Sequence, residues 1–128
     1  MKQLVYKKAK RTRTRPVVRH VMRITKGDTV RVMRGDEAGK EGVVLRVLPK
    51  RNRVVIDGIN VVTKHKKAMS AEDQGGRIQF PAPVHASNVM LLDPKSGEVT
   101  RVRRKKDKDG TVERLSVKSG RPIPRKRK

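Results

Sequence analysis

Between residues 24 and 65 the apolar side chains recur at every second position, not at the spacing of a helix. In Thr29-Val30-Arg31-Val32-Met33 the valines alternate with outward residues. Val43, Leu45 and Val47 then fall on one face of a second run, with Val44, Arg46 and Leu48 on the other. Side chains of an extended strand alternate between its two faces, so this period commits the chain to β structure. No amphipathic stretch exceeds two helical turns, and there is no internal repeat.

Turn chemistry then cuts the pattern into short strands. A Gly-rich turn runs from Arg34 to Gly42. Pro49-Lys50-Arg51-Asn52 forms the next turn, because Pro presets φ and Asn tolerates the left-handed region. Residues 53–57 read as a third strand, Asp57-Gly58 as a turn, and residues 59–65 as a fourth strand ending in Lys64-His65-Lys66-Lys67. Gly75-Gly76 and Pro81-Ala82-Pro83 make residues 68–86 a loop. Residues 89–92 form a short buried strand stopped by Asp93-Pro94. Residues 98–118 form a hairpin, with Asp109-Gly110 as a type I′ turn. Short strands closely spaced predict a small, mainly β barrel, which also removes exposed edges from a Val-rich chain.

Charge divides the 128 residues further. Lys and Arg number 35 against 12 acids, a net charge of +23. Residues 1–23 carry nine basic side chains and no acid, and residues 121–128 carry five more. We therefore read 1–23 as a basic N-terminal arm, 24–93 as the barrel with its loop 68–86, 94–120 as a C-terminal hairpin extension, and 121–128 as a basic tail. Acid-free arms cannot bury enough apolar surface to fold alone. With hydrophobic residues at 34%, one small core is possible. So much positive charge calls for a polyanion, nucleic acid ahead of an anionic membrane surface.

Several classes fall away. Cys is absent, so thiolate zinc sites, disulfides and cysteine nucleophiles are excluded. No apolar run approaches the roughly 20 residues that span a bilayer. No apolar stretch follows the basic start, so no secretory signal is expected; an Arg-rich organellar transit peptide ranks behind a nucleic-acid-binding arm. The serines lack His and acid partners, and Gly35, Gly39 and Gly42 are not followed by the Gly-Lys-Ser/Thr of a phosphate-binding P-loop. An enzyme is not expected.

Lys26-Gly27-Asp28-Thr29-Val30-Arg31-Val32-Met33-Arg34-Gly35, followed by Gly39-Lys40-Glu41-Gly42-Val43-Val44, resembles a KOW motif. It reads as two strands whose joining glycines allow positive φ and close backbone approach. Gly27, Gly35, Gly39, Gly42 and Gly58 are the expected structural glycines. Exposed loop N–H groups could meet phosphate oxygens. The match continues through residues 58–67, Gln74-Gly75-Gly76 and His85-Ala86-Ser87-Asn88-Val89-Met90-Leu91. Over roughly residues 22–118 the chain is similar to the bacterial-type ribosomal protein L-twenty-four family of the large subunit.

The resemblance implies an SH3-like barrel bound to large-subunit rRNA near its 5′ end. It also implies a part in early subunit assembly, neighbouring ribosomal proteins as partners, and a hairpin at the rim of the polypeptide exit tunnel. Lys50, Arg51, Asn52 and Arg53 are assigned to that hairpin, within reach of a nascent chain or exit-site factors. The work place implied is a cytoplasmic ribosome, with an organellar one left open. No cofactor, metal, membrane span or small-molecule substrate is implied. The motif loop is more acidic than is usual in the family, with Asp36, Glu37 and Glu41 against Lys40. Backbone contacts, or the flanking Arg31 and Arg34, would then carry more of the binding.

The expected RNA contacts begin with the arm. Arg11, Arg13 and Arg15 alternate with Thr12, Thr14 and Pro16, which favours an extended strand laid along phosphates, and Arg19 follows. Guanidinium groups suit bidentate phosphate contacts and base stacking. Lys26, Arg31, Arg34 and Lys40 belong to the motif. Asn60, Lys64 and Lys66 are expected on one face of the fourth strand, with His65 and Lys67 on the other. Arg101, Arg103 and Arg104 add a basic stripe to the last hairpin. His20 and His85 are read as ordinary histidines. Two other functions fit a KOW motif and this charge: a transcription factor binding RNA polymerase or RNA, and a nucleoid-type DNA-coating protein.

Overall fold

The computed structural model describes residue 16 and residues 18–69 and 75–125. Arg11, Arg13 and Arg15, most of the N-terminal arm, and residues 126–128 lie outside that set. The described chain is mainly β. Its strands are β1 (Thr29–Val32), β2 (Glu41–Leu48), β3 (Arg53–Ile56), β4 (Val61–Lys66), β5 (Gly76–Pro81), β6 (Val84–His85), β7 (Val89–Leu92), β8 (Val99–Thr100), β9 (Val102–Lys106) and β10 (Val112–Ser116). Six of them form one antiparallel sheet in the order β6-β3-β2-β1-β7-β8, while β4–β5 and β9–β10 are separate two-stranded ribbons.

The sheet wraps a core made only of Val, Ile and Leu. Val30 and Val32 of β1, Val54 and Ile56 of β3, and Leu91 of β7 are buried in one cluster. Ile24, Ile59, Val102 and Ile123 close it from outside the six strands. In β1 and β3 the expected alternation holds: every second residue is buried.

In β2 it does not. Val44 is buried, whereas Val43 and Leu45 are both 43% exposed. Val44 pairs with Ile56 and Arg46 with Val55, so Leu45 is an extra residue, a β-bulge. The bulge reverses the facing of the residues beyond it: Val47 packs against the core, and Arg46 stays at the surface. A strict period of two groups Val43, Leu45 and Val47 together, and the bulge overturns that grouping.

Gly42 differs from expectation as well. Gly27, Gly35, Gly39 and Gly58 have φ of 86°, 104°, 90° and 67°, but Gly42 is not in the left-handed region. Its constraint is space. A Cβ there would lie 2.6 Å from Ile56 Cγ2 and 2.7 Å from the Asp57 carbonyl oxygen.

The expected loop over 68–86 is also corrected, because β5 and β6 lie within it. Gly76 and Pro81 stand at the two ends of β5, where neither interrupts the strand. The turn at Asp109-Gly110 is not type I′, since only Gly110 has positive φ (82°). Gly110 N–H donates to Asp107 O, and Asp107 N–H to Thr111 O, which makes a three-residue loop.

Residues 94–125 are not an appendage. Val102, Arg114, Ser116 and Ile123 are all buried. Arg114 Nη1 and Nη2 reach Asp28 Oδ2 and Oδ1 at 2.6 and 2.9 Å. The same two nitrogens donate to the carbonyls of Arg23 (3.0 Å) and Pro124 (3.1 Å). One guanidinium thus ties together the entry to β1, the last strand and the segment around Pro124. Ile123 lies inside the expected basic tail, so that tail is docked through Pro124.

A second polar knot joins the turns after β7 and β10. Ser116 Oγ donates to Asp93 Oδ2 at 2.7 Å and lies 2.9 Å from Thr100 Oγ1. Hydrogen bonds from the Ser119 hydroxyl, the Lys95 N–H and the Ser116 hydroxyl hold the Asp93 carboxyl down at about 2.

Candidate nucleic-acid interface

The turn Pro49–Arg51 is a tight 3-10 turn, closed by Asn52 in the left-handed region with φ 51° and ψ 43°. The arm's last residues return to it, with His20 N–H donating to Pro49 O at 3.1 Å. This contact lays Arg19 beside the turn. Arg19, Arg46, Lys50 and Arg51 line one groove of about 650 Å³ together with Val47, Leu48 and Pro49. No carboxylate lines it. Lys26 lines the adjoining groove, which shares Arg46, Val47 and Pro49. The result is a cationic strip along one side of the sheet, where phosphate charge would be met by guanidinium and ammonium groups alone.

The sequence assigns Arg19 to the arm and Lys50–Arg53 to a projecting hairpin, and does not single out Arg46. The structure brings Arg19, Lys50 and Arg51 together and adds Arg46. Lys50 and Arg51 are exposed in this turn. Arg53 faces elsewhere: it pairs with His85 across β3 and β6. Arg46 leaves no signal in a period-two reading, because only the bulge keeps it outside.

The motif loop is largely self-satisfied. Arg31 Nε donates to Glu41 Oε1 at 2.9 Å, across a register pair of β1 and β2. Lys40 lies 3.1 Å from Glu37 Oε1. The other Glu37 oxygen accepts from the Asn60 N–H at 2.5 Å. The Asn60 N–H, then Lys40, hold the Glu37 carboxyl below the usual range. Loop N–H groups of Ala38, Gly39 and Lys40 donate to Gly35, Val32 and Glu37 carbonyls, so they are not offered to phosphate. Of the cations expected here, Arg31 and Lys40 are engaged by carboxylates. Arg34 is exposed and lines a groove of about 530 Å³ with Arg53, Asn60, His85 and Asn88, beside Asp36 and Glu37. His85 is fixed there, its Nδ1 accepting from the Ser87 N–H at 3.3 Å, with Ser87 Oγ 2.7 Å away.

The β4–β5 ribbon is the feature that stands out from the sheet. Ile59 is buried, and Asn60 turns the chain outward with φ 54°. Ala82 N–H closes the base by donating to Asn60 O at 2.8 Å. From there every residue of β4 is exposed. Lys64 and Lys66 share a face, and His65 lies on the other, opposite Arg77. Asn60 precedes the strand in a left-handed conformation, so it does not share the Lys64 face as expected. Lys67 follows β4 and is exposed. Arg77 escapes the sequence reading because its segment resembles a loop. Arg101, Arg103 and Arg104 are all exposed along the β8–β9 stretch.

A small curled β sheet with a glycine-bearing two-strand motif, acid-poor cationic grooves and basic ends defines a KOW-type, RNA-binding class of protein, consistent with an SH3-like β fold. Residues 26–57 match the KOW motif. Residues 59–123 match the family described as large ribosomal subunit protein uL24, C-terminal domain. The chain is 50% identical over 99 residues to the large ribosomal subunit protein uL24 of Bacillus thuringiensis (strain Al Hakam), and equally to those of Bacillus cereus (strain B4264) and Bacillus anthracis (strain CDC 684 / NRRL 3495). Each match covers 77% of this chain and 95% of the relative. The chain belongs to the large ribosomal subunit protein uL24 family, a structural and non-catalytic ribosomal component.

Proposed function

We propose that this protein binds large-subunit rRNA near the 5′ end of that RNA and helps to organise it early in subunit assembly, working in the cytoplasm. The observation that carries the reading is the groove of Arg19, Arg46, Lys50 and Arg51, which no carboxylate lines. Each phosphate neutralised there releases condensed counterions, so binding is strong at low salt and falls steeply as salt rises. The major groove of an A-form helix is too deep and narrow for a folded domain to read, so a sheet rimmed with cations recognises backbone and shape. The exposed arm roots extend the same contact beyond the barrel.

For the reach toward the tunnel exit, the exposed turn at residues 50–53 stays the first candidate, and the β4–β5 ribbon is a second. The turn leaves Lys50 and Arg51 exposed, and the two six-residue strands of the ribbon extend about 20 Å. Neighbouring ribosomal proteins, a nascent chain or exit-site factors are the partners these two elements would meet.

The test is crosslinking of the whole chain within large subunits, mapped to residue and nucleotide. Crosslinks from Arg46, Lys50 or Arg51 to the 5′ region of the rRNA are expected. A chain that sediments apart from large subunits at low salt overturns the reading.

A further inference from the structure

Phe80 is the one Phe, Tyr or Trp side chain among the described residues, and it is not in the core. Every apolar core residue is Val, Ile or Leu, while Phe80 stands on β5 at 40% exposure. A ring has more apolar surface to hide than most side chains, so leaving it outside is costly without a partner. Its surroundings indicate which partner. Phe80 pairs with Val62, and Ile78 pairs with Lys64. Directly opposed residues of an antiparallel pair lie on the same side, so Val62, Lys64, Ile78 and Phe80 share one face. Val62 is 37% exposed and Ile78 47%. The ribbon's described residues also carry Lys66, Lys67 and Arg77, and none of them is acidic.

We infer that Phe80, with Val62 and Ile78 beside it, is a stacking platform for an unpaired RNA base, and that Lys64 holds the phosphate next to that base. The inference rests on the proposed rRNA binding and names a site within it. A π-face accepts any base, and stacking on aromatic side chains together with cations along the backbone is how single strands are held. An RNA strand brings an anion with every base, which a protein segment does not, so charge complementarity at the two strands, whose described residues are basic and carry no acid, favours nucleic acid.

The test uses the full chain with two probes, a short fluorescein-labelled oligoadenylate and a short RNA duplex. Anisotropy is read at raised salt, where the polybasic arms contribute less. Phe80→Leu keeps an apolar strand residue and removes the ring. It is expected to weaken oligoadenylate binding roughly 5- to 150-fold, with duplex binding unchanged and the salt slope unaltered. Phe80→Tyr restores affinity. Lys64→Ala lowers the single-strand salt slope by about 0.7. Equal binding of oligoadenylate by Phe80→Leu and the parent overturns the inference, as does an equal loss on both probes. So does a photo-crosslinker placed at position 80 that captures only protein in assembled subunits. Large-subunit sedimentation of the same variants separates the two readings: if Phe80→Leu still joins subunits, a failed stacking test leaves the rRNA-binding role standing.

Discussion

Arg114 and Asp28 stand 86 residues apart in the chain and meet as a bidentate ion pair, with side chains 1% and 3% exposed. Breaking a buried pair strands a charge without solvent, so each single replacement is costly. Asp28→Ala or Arg114→Ala should lower unfolding free energy by about 3–5 kcal/mol. The exposed pair Arg31–Glu41 supplies the contrast, since Glu41→Ala should cost no more than about 1 kcal/mol. Urea denaturation checks both. The double replacement Asp28→Leu with Arg114→Met should be milder than either alanine variant.

Gly42→Val should destabilise by about 1–3 kcal/mol through overpacking against Ile56 and the Asp57 carbonyl. Gly42→Ala should shift stability the same way, because the first added carbon already collides. Gly35→Ala meets no atom within 4 Å and should act only through its φ of 104°. Thermal unfolding of the three variants separates crowding from backbone strain.

Asp93 makes stability depend on acid. Its folded value of about 2 lies below the roughly 3.9 of an unfolded aspartate. Its contribution is therefore complete above about pH 4 and is lost as pH falls toward 2. Unfolding free energy should decline across that window, and Asp93→Asn should flatten the decline while lowering stability at neutral pH. Ser119→Ala, which removes a hydroxyl that holds the carboxyl down, should move the window upward.

Arg46→Ala should reduce the slope of log affinity for rRNA against log salt by about 0.7–0.9. Arg31→Ala should change it much less, because Glu41 already neutralises that guanidinium. Filter binding across a salt series decides between them; equal effects would remove the distinction between groove and motif loop.

Much of this molecule is legible in its sequence. The valines of β1 and β3 announce their strands, Asn52 its left-handed turn, and the glycines at 27, 35, 39 and 58 their positive φ. The features that escape depend on partners distant in sequence. Nothing near Arg114 reveals that Asp28 awaits it, so a residue that looks like one more surface cation is the hub of three segments. The bulge at Leu45 arises from pairing with β3, not from β2 itself. β5 escapes because its ends carry Gly and Pro, although neither occupies a position that breaks it. Of the acids in the motif loop, Glu41 neutralises Arg31, and Glu37 neutralises Lys40 and accepts from the Asn60 N–H.

The bulge also marks where this chain has slack. Val44↔Ile56 and Arg46↔Val55 are already neighbouring rungs with one surplus residue between them. Excising Leu45 would let the ladder close without moving any other pair, whereas an excision within β1, which carries no surplus residue, would turn every later residue of that strand to the opposite face. Among descendants of such a chain, a one-residue gap at this site would be silent to the interior, and the same gap in the middle of β1 would turn that strand inside out.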